Sequence, residues 1–137
     1  MKAYLDSSSF AKRFVNESGS DKVEETCAEA TELGLSVICI PEVVSALNRR
    51  RRERSVSPRQ YEEAKQRVFD DIRDADIIHL TGPVINAAIR VLEASPVRAM
   101  DALHIACALE WGAELFASSD KKQLNAAKRA GLKTRQI

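Results

Sequence analysis

Four acidic residues, Asp6, Glu42, Asp101 and Asp120, carry the chemistry this sequence suggests. Each stands just past an apolar strand-like run or in the first turn of a helix beside one. Alone, each reads as a helix N-terminal residue, where carboxylates cap backbone N–H groups and meet the positive end of the dipole. Together they have a different meaning if one sheet edge gathers them. Crowded carboxylates repel one another unless a cation lies between them. Their hard oxygens suit Mg²⁺ or Mn²⁺, ions that keep waters and leave open positions for a phosphate. Such a site without a nucleotide-binding loop points to hydrolysis of a phosphodiester, by attack of water, since no pair of histidines is on hand for acid–base work.

The elements that must position these acids alternate between strand and helix. Lys2–Leu5 is a short apolar run placed directly before Asp6. Ser7 and Ser8 then cap a helix expected to reach Val15, and a second helix is expected over Ser20–Leu33, closed by Gly34. The β-branched run Ser36–Ile40 reads as a buried strand, with Pro41 opening the next helix at its first position. Ser57-Pro58 starts a long helix to Asp74. Ile77–Leu80 is a third strand, and a helix from Thr81-Gly82-Pro83 runs to Leu92. Ala99–Trp111 is a strongly apolar helix, Glu114–Ala117 a fourth strand, Ser119–Ala130 a helix, and Lys133–Arg135 an edge strand. This order predicts an α/β fold, a three-layer α/β/α sandwich around a parallel sheet of four to five strands, in one domain over residues 1–137. Right-handed crossovers then bring the strand C-termini and the starts of the following helices to one rim. That rim is where open α/β sheets bind ligands.

The rest of the composition narrows the function. The 137 residues are 45% hydrophobic and 30% charged with a net charge of +1, ordinary for a globular domain and without a global field for nucleic acid. No apolar run approaches a membrane span of ~20 residues. The run at Lys2 gives way to Asp6 at once, leaving no room for a signal peptide, so a cytoplasmic protein is expected. Cys27, Cys39 and Cys107 have no paired spacing and read as buried free thiols. His79 and His104 read as structural, although His104 lies one turn from Asp101. The dense basic block of Arg49, Arg50, Arg51, Arg52 and Arg54 reads equally as a solvated helix end or as a phosphate-binding patch. A G-x-x-x-x-G-K-S/T loop, a G-x-G-x-x-G loop and a G-x-S-x-G elbow are all missing, which removes P-loop, dinucleotide and α/β-hydrolase readings. Asp6→Asn is expected to end catalysis while leaving the fold as stable or more so, because it relieves repulsion.

Taken in order, YLDSSSFAKRF, PEVVSAL, RAMDALHIACALEWGAELFASSD and LNAAKRAGLKT resemble PIN-domain ribonucleases, especially VapC-type toxins of toxin–antitoxin pairs. The resemblance covers essentially the whole chain. It implies an endoribonuclease that cuts single-stranded or looped RNA with Mg²⁺ or Mn²⁺. By similarity Asp6, Glu42, Asp101 and Asp120 are the metal-binding and catalytic acids, with Ser7 and Ser118 orienting phosphate or ligands. It further implies a homodimer, held by an antitoxin protein that inserts a basic side chain near the acids. Many members carry another acid two residues past the last one, where this chain has Lys122. The competing readings are a non-catalytic RNA- or protein-binding module of the same fold and a structure-specific nuclease acting on DNA.

Overall fold

The computed structural model describes residues 1–137. Five strands, β1 (Lys2–Leu5), β2 (Glu32–Ser36), β3 (Asp76–Ile78), β4 (Leu115–Ser118) and β5 (Thr134–Gln136), form one sheet in the order β3-β2-β1-β4-β5. Every neighbouring pair is parallel. Seven helices cover it: α1 (Ser7–Ala11), α2 (Ser20–Glu29), α3 (Cys39–Arg52), α4 (Pro58–Asp74), α5 (Gly82–Ala94), α6 (Ala99–Trp111) and α7 (Lys121–Arg129). This is the α/β sandwich that the alternation predicts.

The period-two alternation of the central strands divides the core. Tyr4 and Phe116 point to one face, stacked at 5.5 Å, and pack with α5, α6 and α7. Leu5 and Ala117 point to the other and pack with Phe10, Val23, Val43, Leu47, Tyr61 and Val68 from α1 to α4. A sheet covered on both faces needs strands that are apolar throughout, and all four residues of β4 are buried. Cys39 and Cys107 are buried free thiols, as expected, with burial pushing the Cys39 thiol up to about 12; Cys27 is only partly covered.

Several boundaries differ from the sequence reading, among them the third strand, which is Asp76–Ile78 rather than Ile77–Leu80. The second helix stops at Glu29 rather than Leu33, and the second strand is Glu32–Ser36 rather than Ser36–Ile40. Thr31 is tied to the chain start, its N–H donating to the Met1 carbonyl at 2.9 Å, which places Glu32 beside Lys2 in register. Gly34 is therefore a mid-strand residue, not a helix stop. The apolar run Val37–Ile40 leaves the strand and opens α3 two residues ahead of Pro41. Proline is tolerated there because the first-turn N–H groups have no helical acceptor. The first helix also ends early, at Ala11 rather than Val15.

Candidate active site

The sheet order reverses direction at β1, whose two neighbours are β2 and β4. A crevice opens at such a point beyond the strand C-termini. Asp6 follows β1 and caps α1, and Asp120 follows β4 and caps α7. Glu42 and Asp101 lie in the first turns of α3 and α6. The structure brings three of the four acids, Glu42, Asp101 and Asp120, to the wall of one open pocket of about 860 Å³. Asp6 is buried beside it.

Asp6 is the most constrained of the four. Its Oδ1 accepts the Ser9 N–H at 2.9 Å, and its Oδ2 accepts the hydroxyls of Ser118 at 2.8 Å and Ser8 at 3.1 Å. The Ser118 hydroxyl also lies 2.8 Å from Gln123 Oε1 and accepts the Asp120 N–H at 3.0 Å. Ser118 thus joins two of the acids. Gln123, almost fully buried, extends the chain toward the Asp101 carbonyl at 3.5 Å. Its role was invisible in the sequence, where it reads as one polar residue on an amphipathic helix.

Glu42 is held differently. Its Oε1 accepts the Ser7 hydroxyl at 2.6 Å and faces His104 Nε2 at 2.9 Å. The other ring nitrogen, Nδ1, lies 2.7 Å from the buried Tyr4 hydroxyl. A neutral imidazole satisfies this chain when Tyr4 donates to Nδ1 and Nε2–H donates to the carboxylate. Half-burial pushes the Glu42 carboxyl upward, but the hydrogen bonds from His104 and Ser7 outweigh it, and the net shift is downward. Glu42 is therefore kept ionised. His104, taken from sequence as structural, belongs to the site. The signal was its spacing one turn after Asp101, on a helix apolar on every side.

Asp101 shows the opposite balance. Burial raises its carboxyl, the Arg98 N–H pulls it down, and the charges of Asp120 and Asp6 raise it further, giving a net upward shift. Asp101 thus feels the field of Asp120 and Asp6. No group of three or more His, Cys, Asp or Glu side chains stands close enough together to hold a metal ion as the side chains lie. A partial set of hard oxygen donors suits Mg²⁺ or Mn²⁺, which complete their shells with water and phosphate oxygens.

Residues 3–129 match the family model for the PIN domain. The chain belongs to the PIN domain family. Solved structures of this fold align over nearly the whole chain at low identity. The Mycobacterium tuberculosis toxin VapC20, a sarcin–ricin loop cleaving toxin, is 17% identical with a TM-score of 0.70, covering 98% of this chain and 99% of that one. VapBC-1 from nontypeable Haemophilus influenzae is 12% identical with a TM-score of 0.70, covering 99% and 98%. A toxin–antitoxin complex from Klebsiella pneumoniae is 16% identical with a TM-score of 0.68, covering 89% of each chain. No curated protein sequence matches significantly.

Within this PIN domain the arginine block lies away from the acids. Arg49 is seven residues beyond Glu42 on α3, about 10 Å along the axis. Arg50 pairs with Glu17, while Arg51 donates to Asn48 at 2.8 Å and stacks 4.4 Å over Tyr61. Arg49 and Arg52 are exposed. Tyr61 is a core residue whose hydroxyl accepts from Asn48 at 2.9 Å. His79 is exposed after β3 and has no part in the site.

The His104 chain gives a direct expectation. His104→Ala leaves Glu42 without its imidazole donor and the Tyr4 hydroxyl buried without a partner, at a stability cost of about 1–3 kcal/mol. Metal affinity, read as the melting shift across a Mn²⁺ titration, falls about 10–100-fold. His104→Gln, which can still donate to Glu42, recovers part of it. Wild-type Mn²⁺ affinity in His104→Ala would remove His104 from the site.

Proposed function

We propose that this PIN-domain protein is a metal-dependent endoribonuclease and the toxin of a toxin–antitoxin pair. The observation that carries the reading is the gathering of Glu42, Asp101 and Asp120 around one pocket at the sheet's switch point, with Asp6 buried against it. The toxins that share this fold, among them a sarcin–ricin loop cleaving one, support RNA as substrate and an antitoxin as partner. Asp101 and Asp120 would hold a Mg²⁺ or Mn²⁺ ion, which takes one or two carboxylates and fills its other positions with water and phosphate oxygens, while Glu42 would orient a water and Asp6 add charge from behind. When bound, that ion supplies Lewis-acid polarisation of the phosphate and a more acidic water.

The protein's own part is positional. Ser7 and His104 fix one oxygen of Glu42, leaving Oε2 without a protein partner and free to take a ligand or orient a water. Ser118 holds Asp6 and the start of α7 in a single hydrogen-bonded unit. Asp101 has the raised proton affinity of a group that gains most from a nearby cation. Arg49 and Arg52 would track the RNA backbone at a distance from the scissile bond, with binding that weakens as salt rises. Self-association is supported by Ile85, Ile89 and Leu92, exposed apolar residues at helical spacing on α5. Ile89→Glu is the matching variant for sedimentation.

The test is cleavage of a mixed RNA pool by purified protein, with Mn²⁺ and with EDTA. Metal-dependent cuts leaving 5′-phosphate and 3′-hydroxyl ends are the expected result. Cuts that persist in EDTA, or that leave 2′,3′-cyclic phosphates, would exclude this mechanism.

A further inference from the structure

Two cations share the acid-lined pocket. Arg98 and Lys122 line it together with Glu42, Asp101 and Asp120. Both are exposed, and neither side chain makes an ion pair or hydrogen bond with the protein. Here two cations stand beside three carboxylates and bond to none of them.

The backbone explains where they stand. Arg98 is the N-cap of α6; its guanidinium has only donors and cannot take the helix N–H groups, and the residue lines the pocket. Lys122 is the second residue of α7, and its N–H is bound by Asp120 Oδ1 at 2.9 Å. Asp120 thus captures the Lys122 backbone, and both charged heads are left free.

Charge decides what they are for. Three carboxylates with one divalent cation leave a pocket close to neutral, with a charge of about −1. Arg98 and Lys122 offset that remaining charge. An anion is then attracted to a pocket whose walls would otherwise repel it. Guanidinium and ammonium groups without protein partners are the donors that phosphate oxygens take.

We propose that Arg98 and Lys122 form a phosphate clamp in the pocket, holding a backbone phosphate of single-stranded RNA next to the bond to be cut. This deepens the nuclease reading and rests on it for the identity of the strand. A cation bound at the acids removes their repulsion of the phosphate, so the clamp is strongest in the metal-bound pocket. Lys121, the exposed neighbour outside the pocket, carries the same charge and is the control.

The test is binding of a labelled single-stranded oligoribonucleotide in Ca²⁺, which fills an oxygen-ligand site, and again in EDTA, measured by anisotropy across a salt series. It compares wild type with Arg98→Ala, Lys122→Ala, the double variant and Lys121→Ala. Each pocket variant is expected to flatten the log–log salt slope by about 0.7, the value for one lost phosphate contact on a single strand. The double variant loses both contacts, and Lys121→Ala stays near wild type. The Mn²⁺ melting shift persists in all of them, because the acids remain. Unchanged slopes in the pocket variants, or an equal loss in Lys121→Ala, overturn the clamp. Wild type that binds RNA in Ca²⁺ but cuts nothing with Mn²⁺ overturns the nuclease reading and leaves the clamp standing.

Discussion

Asp101→Asn is expected to lower RNA cleavage by more than about 100-fold, the upper end of the loss seen when only the support of a metal ligand is removed. Its fold should not suffer. Asp101 lines the pocket and its carboxylate accepts no side-chain hydrogen bond. In the metal-free protein its ionised form is disfavoured by burial and by Asp120 and Asp6, which outweigh the help of the Arg98 N–H and His104. A carboxyl whose folded pKa lies above its unfolded value favours folding when protonated and opposes it when ionised. Without metal, the melting temperature of Asp101→Asn at pH 7 is therefore equal to or above that of wild type. The difference closes as pH falls through the Asp101 pKa. Adding Mn²⁺ reverses the order, because a ligand that binds only the folded state stabilises the protein in proportion to its affinity. The decisive measurement is melting with and without Mn²⁺ beside the cleavage rate. A variant that keeps both the wild-type Mn²⁺ shift and the wild-type rate would remove Asp101 from the site.

Asp6 behaves otherwise, and here the structure corrects the expectation from sequence. Repulsion alone suggested that Asp6→Asn would be neutral or stabilising. Both Asp6 oxygens, however, accept hydrogen bonds, and an amide nitrogen cannot accept from Ser118 or Ser8. The Asn oxygen can still cap α1 through the Ser9 N–H, but the bonds from Ser118 and Ser8 are lost or reversed along with the charge. Loss of activity in Asp6→Asn mixes two causes, which is why Asp101 gives the cleaner answer.

The acids were legible in sequence because topology alone places them. A parallel sheet with helical crossovers sends every residue at a strand's C-terminus to one rim, whatever the side chains do. Helix ends defined by local chemistry were also legible: Ser57 with Gln60 forms a capping box, and Ala99–Trp111 matches the reading residue for residue. What failed depended on contacts distant in sequence. Val37–Ile40 looks more like a strand than ELGLS does, yet pairing with Lys2–Tyr4 sets the register of β2, and propensity cannot report that. His104 and Gln123 were missed for a related reason. Their neighbours Tyr4, Ser7, Glu42 and Ser118 come from other elements, and a polar residue in an apolar helix carries no mark of which acid it will meet.

Gly34 shows the same lesson in a form that can be measured. In sequence it reads as a helix stop; in the structure a Cβ there would sit 2.5, 2.6 and 2.9 Å from three ring atoms of Trp111. The indole cannot simply step aside. Its Nε1 donates to Asp76 at 3.1 Å, and Lys2 Nζ lies 4.3 Å over its ring while donating to the Trp111 carbonyl at 2.9 Å. These partners lie at the starts of β1 and β3, the sheet edge opposite the acids. Gly34→Ala is expected to cost about 1–3 kcal/mol, a fall in melting temperature of roughly 4–12 °C. Below its melting range the variant should cleave like wild type, since none of the site's hydrogen bonds passes through Gly34. Trp111→Leu makes room, so the double variant should be more stable than the two single losses predict, with a coupling of about 0.5–3 kcal/mol. Additive losses would show that the glycine is not kept for the ring. If cleavage fell with stability still in hand, the push on Trp111 would have travelled along α6 to Asp101 and His104, making one helix both the fastening of the sheet's far edge and the carrier of the site.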